Sequence, residues 1–134
     1  MKIISTHTTL ASKNLAKSSE FYQSIFEAKP MFADDNGSLL AINDNTSIML
    51  MQDSFFKSFV PNKEISNNQS TCASRNTLTL QDKNDVDKLI DKALSAWAKE
   101  FWTVDNEEYM YSRNFEDLDG YLRQILWMDM SQMQ

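Results

Sequence analysis

Only two glycines occur in these 134 residues, and the second dictates how the chain ends. Gly120 closes the run Asp117-Leu118-Asp119-Gly120, inside the stretch Met110 to Asp129. Asp-Gly between β-rich runs signals a tight hairpin, because glycine takes positive φ without a steric penalty. The stretch therefore reads as two strands joined by a turn. After the turn, Tyr121 to Met128 carries aromatic and branched residues suited to a pleated surface. Alternation places Leu122, Gln124, Leu126 and Met128 on one face and Tyr121, Arg123, Ile125 and Trp127 on the other. Gln124 thus stands in an apolar row, where its amide needs a partner or a ligand. A slip of one residue would turn Arg123 and Trp127 inward and bury a charge without an evident carboxylate partner.

The rest of the chain resolves into the same order of elements twice. Lys2 to Leu10 reads as a first strand, with His7 and Thr9 on one face. Asn14 suits the N-cap of a helix running to about Glu27, ended by Lys29-Pro30. A short strand from Met31 to Ala33, a turn at Asp34-Asp35-Asn36-Gly37, and strands at Ser38 to Asn43 and Thr46 to Gln52 complete a β-α-β-β-β module over about residues 1–52. Residues 53–75 contain Pro61 and the polar run Asn67-Asn68-Gln69-Ser70-Thr71. They read as a linker or lid with a helical turn near Phe55 to Phe59. The second module, about 76–130, opens with a strand at Asn76 to Gln81. Asp82 or Asn84 caps a helix in which Val86, Leu89, Ile90, Ala93, Leu94 and Trp97 recur with helical spacing, predicting Trp97 in the core. A strand from Phe101 to Val104 and the final hairpin follow. The expected fold is α+β: two β-α-β-β-β modules forming a curved mixed sheet around a cleft, helices outside.

Charge and cysteine content narrow the partners. A net charge of −6 argues against nucleic acid, which is bound by a cationic face, and against an anionic membrane surface. No run approaches the roughly 18 apolar residues of a membrane span. The N-terminus lacks the apolar core of a signal peptide. One cysteine, Cys72, makes neither an intramolecular disulfide nor a cysteine-cluster zinc site. A cytoplasmic location is expected. The P-loop, dinucleotide and nucleophile-elbow motifs are absent. Asp117-x-Asp119-Gly120 superficially resembles a calcium loop, but the remaining ligand positions are missing.

The final hairpin resembles that of the vicinal oxygen chelate superfamily, which includes glyoxalases, extradiol dioxygenases, fosfomycin-modifying enzymes and bleomycin-binding proteins. In that family a phenylalanine, a D-x-D-G turn and a strand with a metal-binding glutamate follow one another, and the glutamate lies four residues after the glycine. That position is Gln124 here. Asn14 to Tyr22, N-L-A-K-S-S-E-F-Y, resembles the family's first helix. His7, fourteen residues before Phe21, matches the spacing of its first metal-binding histidine. The resemblance implies a metal ligand from the first and last strands of each module. Here it offers His7, then Met49 where a carboxylate is usual, Arg75 or Asn76 where a histidine is usual, and Gln124. Hard divalent ions and zinc are poorly served by thioether and amide donors.

Other residues keep two readings. His7 is either a hydrogen-bonded strand residue or a base facing a pocket. Gln124 is either a relic that hydrogen-bonds a neighbour or a reader of a ligand's polar group. Met49, Met51, Met110 and Met128 either fill the core or line an adaptable apolar site. Tyr109, Tyr111, Arg113 and Phe115 share a face, and Arg113 is either a paired surface arginine or a clamp for an anionic or planar ligand. Catalytic residues stay unassigned. The ligand-binding set expected is His7, Thr9, Met49, Arg75, Tyr111, Arg113 and Gln124. The expected function is binding or sequestration of a small, partly apolar molecule, with no metal or other cofactor, by a homodimer. The alternatives are a divalent-metal-dependent lyase, transferase or dioxygenase, and a structural or regulatory dimer.

Overall fold

The two turns read from the sequence set the registers of two sheets. The computed structural model describes residues 1–133, with the side chains of 102–105 and 132–133 outside the description. It divides into two units, Met1–Asn67 and Asn68–Gln134. The first contains β1 (Thr6–Ser12), α1 (Leu15–Phe26), β2 (Lys29–Ala33), β3 (Gly37–Ala41), β4 (Thr46–Gln52) and α2 (Asp53–Phe59). The second contains β5 (Arg75–Thr79), α3 (Asn84–Ser95), β6 (Lys99–Glu107), β7 (Met110–Glu116), β8 (Leu122–Met128) and a closing 3-10 turn at Met130–Met133. Each holds one four-stranded mixed sheet, β1-β4-β3-β2 and β5-β8-β7-β6. In both, the first strand returns to pair in parallel with the last, and the other pairings are antiparallel. The α+β class and the doubled β-α-β-β-β order are those expected from the sequence.

In the first unit α1 starts where Asn14 accepts a hydrogen bond from Lys17 N at 3.2 Å. Its buried residues Leu15, Phe21, Tyr22 and Ile25 share the core with Leu10, Leu40, Ile48 and Leu50. Those strand residues lie on one side because β1, β4 and β3 pair Leu10 with Leu50 and Leu40 with Ile48. Ser12 Oγ donates to Ser18 Oγ at 3.0 Å, tying the end of β1 to α1. The first strand lies four residues later than expected. Ile3 and Ile4 are exposed, because the parallel partner β4 begins only at Thr46 and pairs it with Thr6.

The second unit packs Val86, Ile90 and Ala93 of α3 with the fully buried Phe115 and Ile125. The final turn forms as read. Gly120 has φ +84°, Gly120 N donates to Asp117 O at 3.1 Å, and Asp117 N donates to Tyr121 O at 2.9 Å. Asp117 Oδ1 also accepts from the backbone N of Asp119 and Tyr121.

Two expectations fail in this unit. Arg123 is 3% exposed on the face opposite Gln124, so burying its charge was no argument against the alternative register. β8 is an interior strand of its sheet, and both of its faces are covered. Trp97 is not in the core but 86% exposed. The helical spacing runs past the end of the helix: α3 stops at Ser95, and Trp97 takes a left-handed backbone with φ +79°. Trp97 N donates to Leu94 O and Ala98 N to Ala93 O, which is the Schellman termination with tryptophan where glycine is usual. Because this side chain buries little and its backbone is strained, Trp97→Gly is expected to stabilise the protein by about 1 kcal/mol. Thermal melting checks this, and a lowered Tm would show that the indole makes contacts worth more than the strain.

Candidate functional site

Cross-strand register determines which side chains share a surface. In the first unit, the face away from the α1-facing core carries three rows: His7, Ser47 and Ala41; Thr9, Met49 and Leu39; and Ala11, Met51 and Gly37. His7 is exposed, Thr9 half-buried and Met49 buried. These three expected site residues therefore do share one face. Gly37 does not have positive φ. Space is tight instead: a Cβ there would lie 2.9 Å from the flexible end of Met49, its Cε, and 3.0 Å from Leu50 O.

The second unit repeats this arrangement. Thr77, Gln124 and Asn114 form one row, with Arg75, Leu122 and Glu116 in the row beside it. Thr77 stands against Gln124 as Thr9 stands against Met49, and Arg75 then occupies the place of His7. Between Arg75 and Asn76 the register chooses Arg75, since Asn76 pairs with Arg123 on the opposite face. Gln124 is 8% exposed, and its amide is engaged at both ends. Its Oε1 accepts from Thr77 Oγ1 at 2.9 Å, and its Nε2 donates to Ser112 Oγ at 3.1 Å. Thr77 and Ser112 were not anticipated from sequence. Nothing local marks them, because they meet Gln124 through pairings 47 and 12 residues away.

Tyr111 and Arg113 lie on the other side of this sheet. They pair with Trp127 and Ile125, away from Gln124. Arg113 directs Nε and Nη2 onto the two oxygens of Glu100 at 2.7 and 2.9 Å, and Nη1 onto Asp87 of α3 at 2.8 Å. Asp91 is 3.6 Å away. The Tyr111 hydroxyl donates to Asp87 at 2.6 Å. Lys83 Nζ lies over the Tyr111 and Trp127 rings, 5.7 and 5.5 Å from their centroids. These contacts move the titrations. Hydrogen bonds from Tyr111 and then Arg113 hold the Asp87 carboxyl below its usual range. The Arg113 hydrogen bonds do the same for Glu100. Burial, then the bond to Asp87, pushes the Tyr111 phenol up, and the bonds to Glu100 raise Arg113. The guanidinium is committed to carboxylates of its own unit, so its paired reading describes it, and the geometry gives Tyr111 the same structural office.

The positions that the resemblance marks for a divalent cation offer an imidazole and a thioether in the first unit, and a guanidinium and a doubly bonded amide in the second. A guanidinium repels a cation, and an engaged neutral amide is a poor donor. The donor set does not fit a divalent metal. Among the described residues no three of histidine, cysteine, aspartate and glutamate gather in a group able to hold one.

No protein-family model matches the sequence, and no curated protein matches it. Solved structures do match over nearly the whole chain. A hypothetical protein from S. aureus is 20% identical, with TM-score 0.78 and 95% of each chain covered. A glyoxalase/bleomycin resistance protein/dioxygenase family enzyme from Burkholderia phytofirmans is 16% identical, with TM-score 0.77, over 91% of this chain and 96% of that one. The fosfomycin resistance protein FosX from Listeria monocytogenes is 19% identical, with TM-score 0.73 and 96% of each chain covered. This chain has the fold of those proteins.

Proposed function

We propose, from the vicinal oxygen chelate fold that this chain has, that it binds a small, partly apolar molecule without a divalent metal, and that it sequesters this molecule instead of transforming it. The observation that carries this reading is the Thr77–Gln124–Ser112 chain. It is a neutral set of hydrogen bonds at the position where the resembled superfamily carries its metal-binding glutamate. Around it stand Leu122, Leu126, Met110 and Met128 on the same face. An apolar surface with few polar groups suits a partly apolar molecule. Taken unit by unit, the candidate contact residues are His7, Thr9 and Met49 on the face of the first sheet, and Arg75 and Gln124 on the face of the second. Fold alone carries no activity, so the enzymes among the matched structures do not make this chain a lyase, transferase or dioxygenase.

Elemental analysis of protein purified without chelator is expected to show no stoichiometric zinc, nickel, manganese or iron. One such ion per chain, lost in His7→Ala, would defeat the reading and restore the metal-dependent alternative.

A homodimer and a cytoplasmic location belong to the same proposal. Each sheet leaves two edge strands, β1 and β2 in one and β5 and β6 in the other, and edges need cover. Cys72 is exposed and free, which suits a reducing compartment. No helix among the described residues is long and apolar enough to cross a membrane. Sedimentation equilibrium at micromolar concentration is expected to give twice the chain mass, and a clean monomer across that range rejects the dimer.

A further inference from the structure

We propose that Asn36 is a modification site of this protein, a deamidation site whose rate Asp34 sets by holding the backbone N–H of Gly37. Both glycines of the chain follow a residue whose side chain can cyclise onto the next backbone nitrogen, in Asn36-Gly37 and Asp119-Gly120. Glycine leaves that nitrogen unshielded, because it has no side chain. The reaction balances with water alone. Gly37 N gives up its proton and bonds to Asn36 Cγ, and the side-chain nitrogen of Asn36 leaves as ammonia. Water then opens the five-membered imide at either carbonyl, leaving aspartate or isoaspartate. A carboxylate offers no such leaving group, so Asn36 is the reactive member of the two.

The fold exposes the electrophile and restrains the nucleophile. Asn36 is exposed and Gly37 is buried. Gly37 N donates to Asp34 Oδ1 at 3.0 Å, and Asn36 N donates to the same oxygen at 2.8 Å. At the other end of the Asn36–Gly37 peptide, Asn36 O accepts from Gln52 N at 3.0 Å. A planar peptide held at both its N–H and its C=O resists the rotation that ring closure needs. Asp34 N also donates to Gly37 O at 2.9 Å, which closes the turn. The Asp34 carboxylate opposes the reaction twice. Its charge-assisted bond fixes the N–H, and its negative charge disfavours loss of the proton from the nitrogen beside it.

The second turn uses its aspartate differently. Asp117 Oδ1 takes the backbone N–H of Asp119 and of Tyr121 and passes over Gly120, whose N–H goes to the Asp117 carbonyl. Of the two turns, only the one with the reactive asparagine sets a carboxylate on the glycine nitrogen. The modification also has a structural consequence. Gly37 opens β3 opposite Met51, and a Cβ on it would already lie 3.0 Å from Leu50 O. Isoaspartate at position 36 adds one backbone atom just before this crowded point, where the register of β3 against β4 is set.

The test uses the full chain, incubated folded in buffer and unfolded in urea at one pH and temperature. Peptide mapping follows the mass gain of amide-to-acid conversion at Asn36. Conversion is expected to be at least about tenfold slower in the folded chain. Asp34→Ala, with its fold checked by circular dichroism, is expected to bring the rate to within about threefold of the unfolded one. Asp34→Asn keeps an acceptor oxygen for the turn but removes the charge, and its rate is expected to fall between those of the parent and Asp34→Ala. As a measurement that needs no variant, the Gly37 amide proton of the parent should exchange with solvent far more slowly folded than unfolded, since base-catalysed exchange removes the same proton. Equal rates of conversion or of exchange in the folded and unfolded parent would show that the N–H is not held. A folded Asp34 variant that converts no faster than the parent would show that Asp34 is not what holds it. Either result overturns the proposal.

Discussion

Gln124→Glu is expected to lower stability at neutral pH by about 3 kcal/mol, because it places a carboxylate in a buried row without a cation to pair it. In the native protein the Gln124 amide accepts from Thr77 Oγ1 and donates to Ser112 Oγ. A glutamate keeps the first bond. It gains the second only if the Ser112 hydroxyl turns to donate, and two hydroxyl donors do not replace the solvation lost by a buried anion. Among the described residues, the charged Arg75, Glu116 and Lys99 on this face stand one row away, and Arg75 is exposed. Their screened charges leave desolvation dominant, so the folded pKa of the new carboxyl lies above its unfolded value. The sign follows from linkage: stability is fully present below the unfolded pKa and is lost as pH rises through the folded one. Urea melts at several pH values should show the variant nearly as stable as the parent in acid and progressively weaker toward neutrality. A pH-independent difference would mean that the carboxylate finds solvent or a cation. The variant should also gain no tight zinc affinity, since Met49 and Arg75 stay as they are.

How far the sequence reaches depends on the range of the interaction read. The Asp117–Gly120 turn was legible because its chemistry is local: one aspartate caps two backbone amides and one glycine takes φ +84°. From that turn alternation placed Gln124 on its face correctly. The same reasoning misjudged Arg123, because alternation predicts faces but not whether both become buried, which depends on the position of β8 inside its sheet. Periodicity located α3 but overran its end, since a left-handed tryptophan carries no stop signal of the kind that glycine gives. Thr77 and Ser112 were illegible because contact between them and Gln124 is created by strand pairing. Arg113 shows the same limit. Sequence left it as either a paired surface arginine or a ligand clamp, because its partners Glu100 and Asp87 come from β6 and α3, 13 and 26 residues away.

Arg113→Met is expected to destabilise the protein by about 2 kcal/mol at pH 7, a figure reduced from that of a buried pair because the carboxylates are partly solvated. Methionine retains an apolar stem, so the loss reports mainly on charge and hydrogen bonds. The side chain of Arg113 is 15% exposed, against 55% for Asp87 and 38% for Glu100. The guanidinium fixes β6 through its fork on Glu100 and α3 through Asp87, so its removal loosens both from β7. It also leaves Asp87, Asp91 and Glu100 without the cation on which they converge, and like charges then repel. Because the folded Asp87 and Glu100 carboxyls titrate below their ordinary range, their contribution is present above the unfolded pKa values and is lost as pH falls through the lowered folded ones. The gap between parent and variant should therefore close on acidification through that range, and narrow in high salt. A gap constant across pH and salt would assign the cost to packing alone. Small-molecule affinity should survive the replacement, because Arg113 and Gln124 project from opposite faces of the sheet. Loss of affinity without loss of fold would return Arg113 to the binding site and make its carboxylate partners the means by which it is held ready.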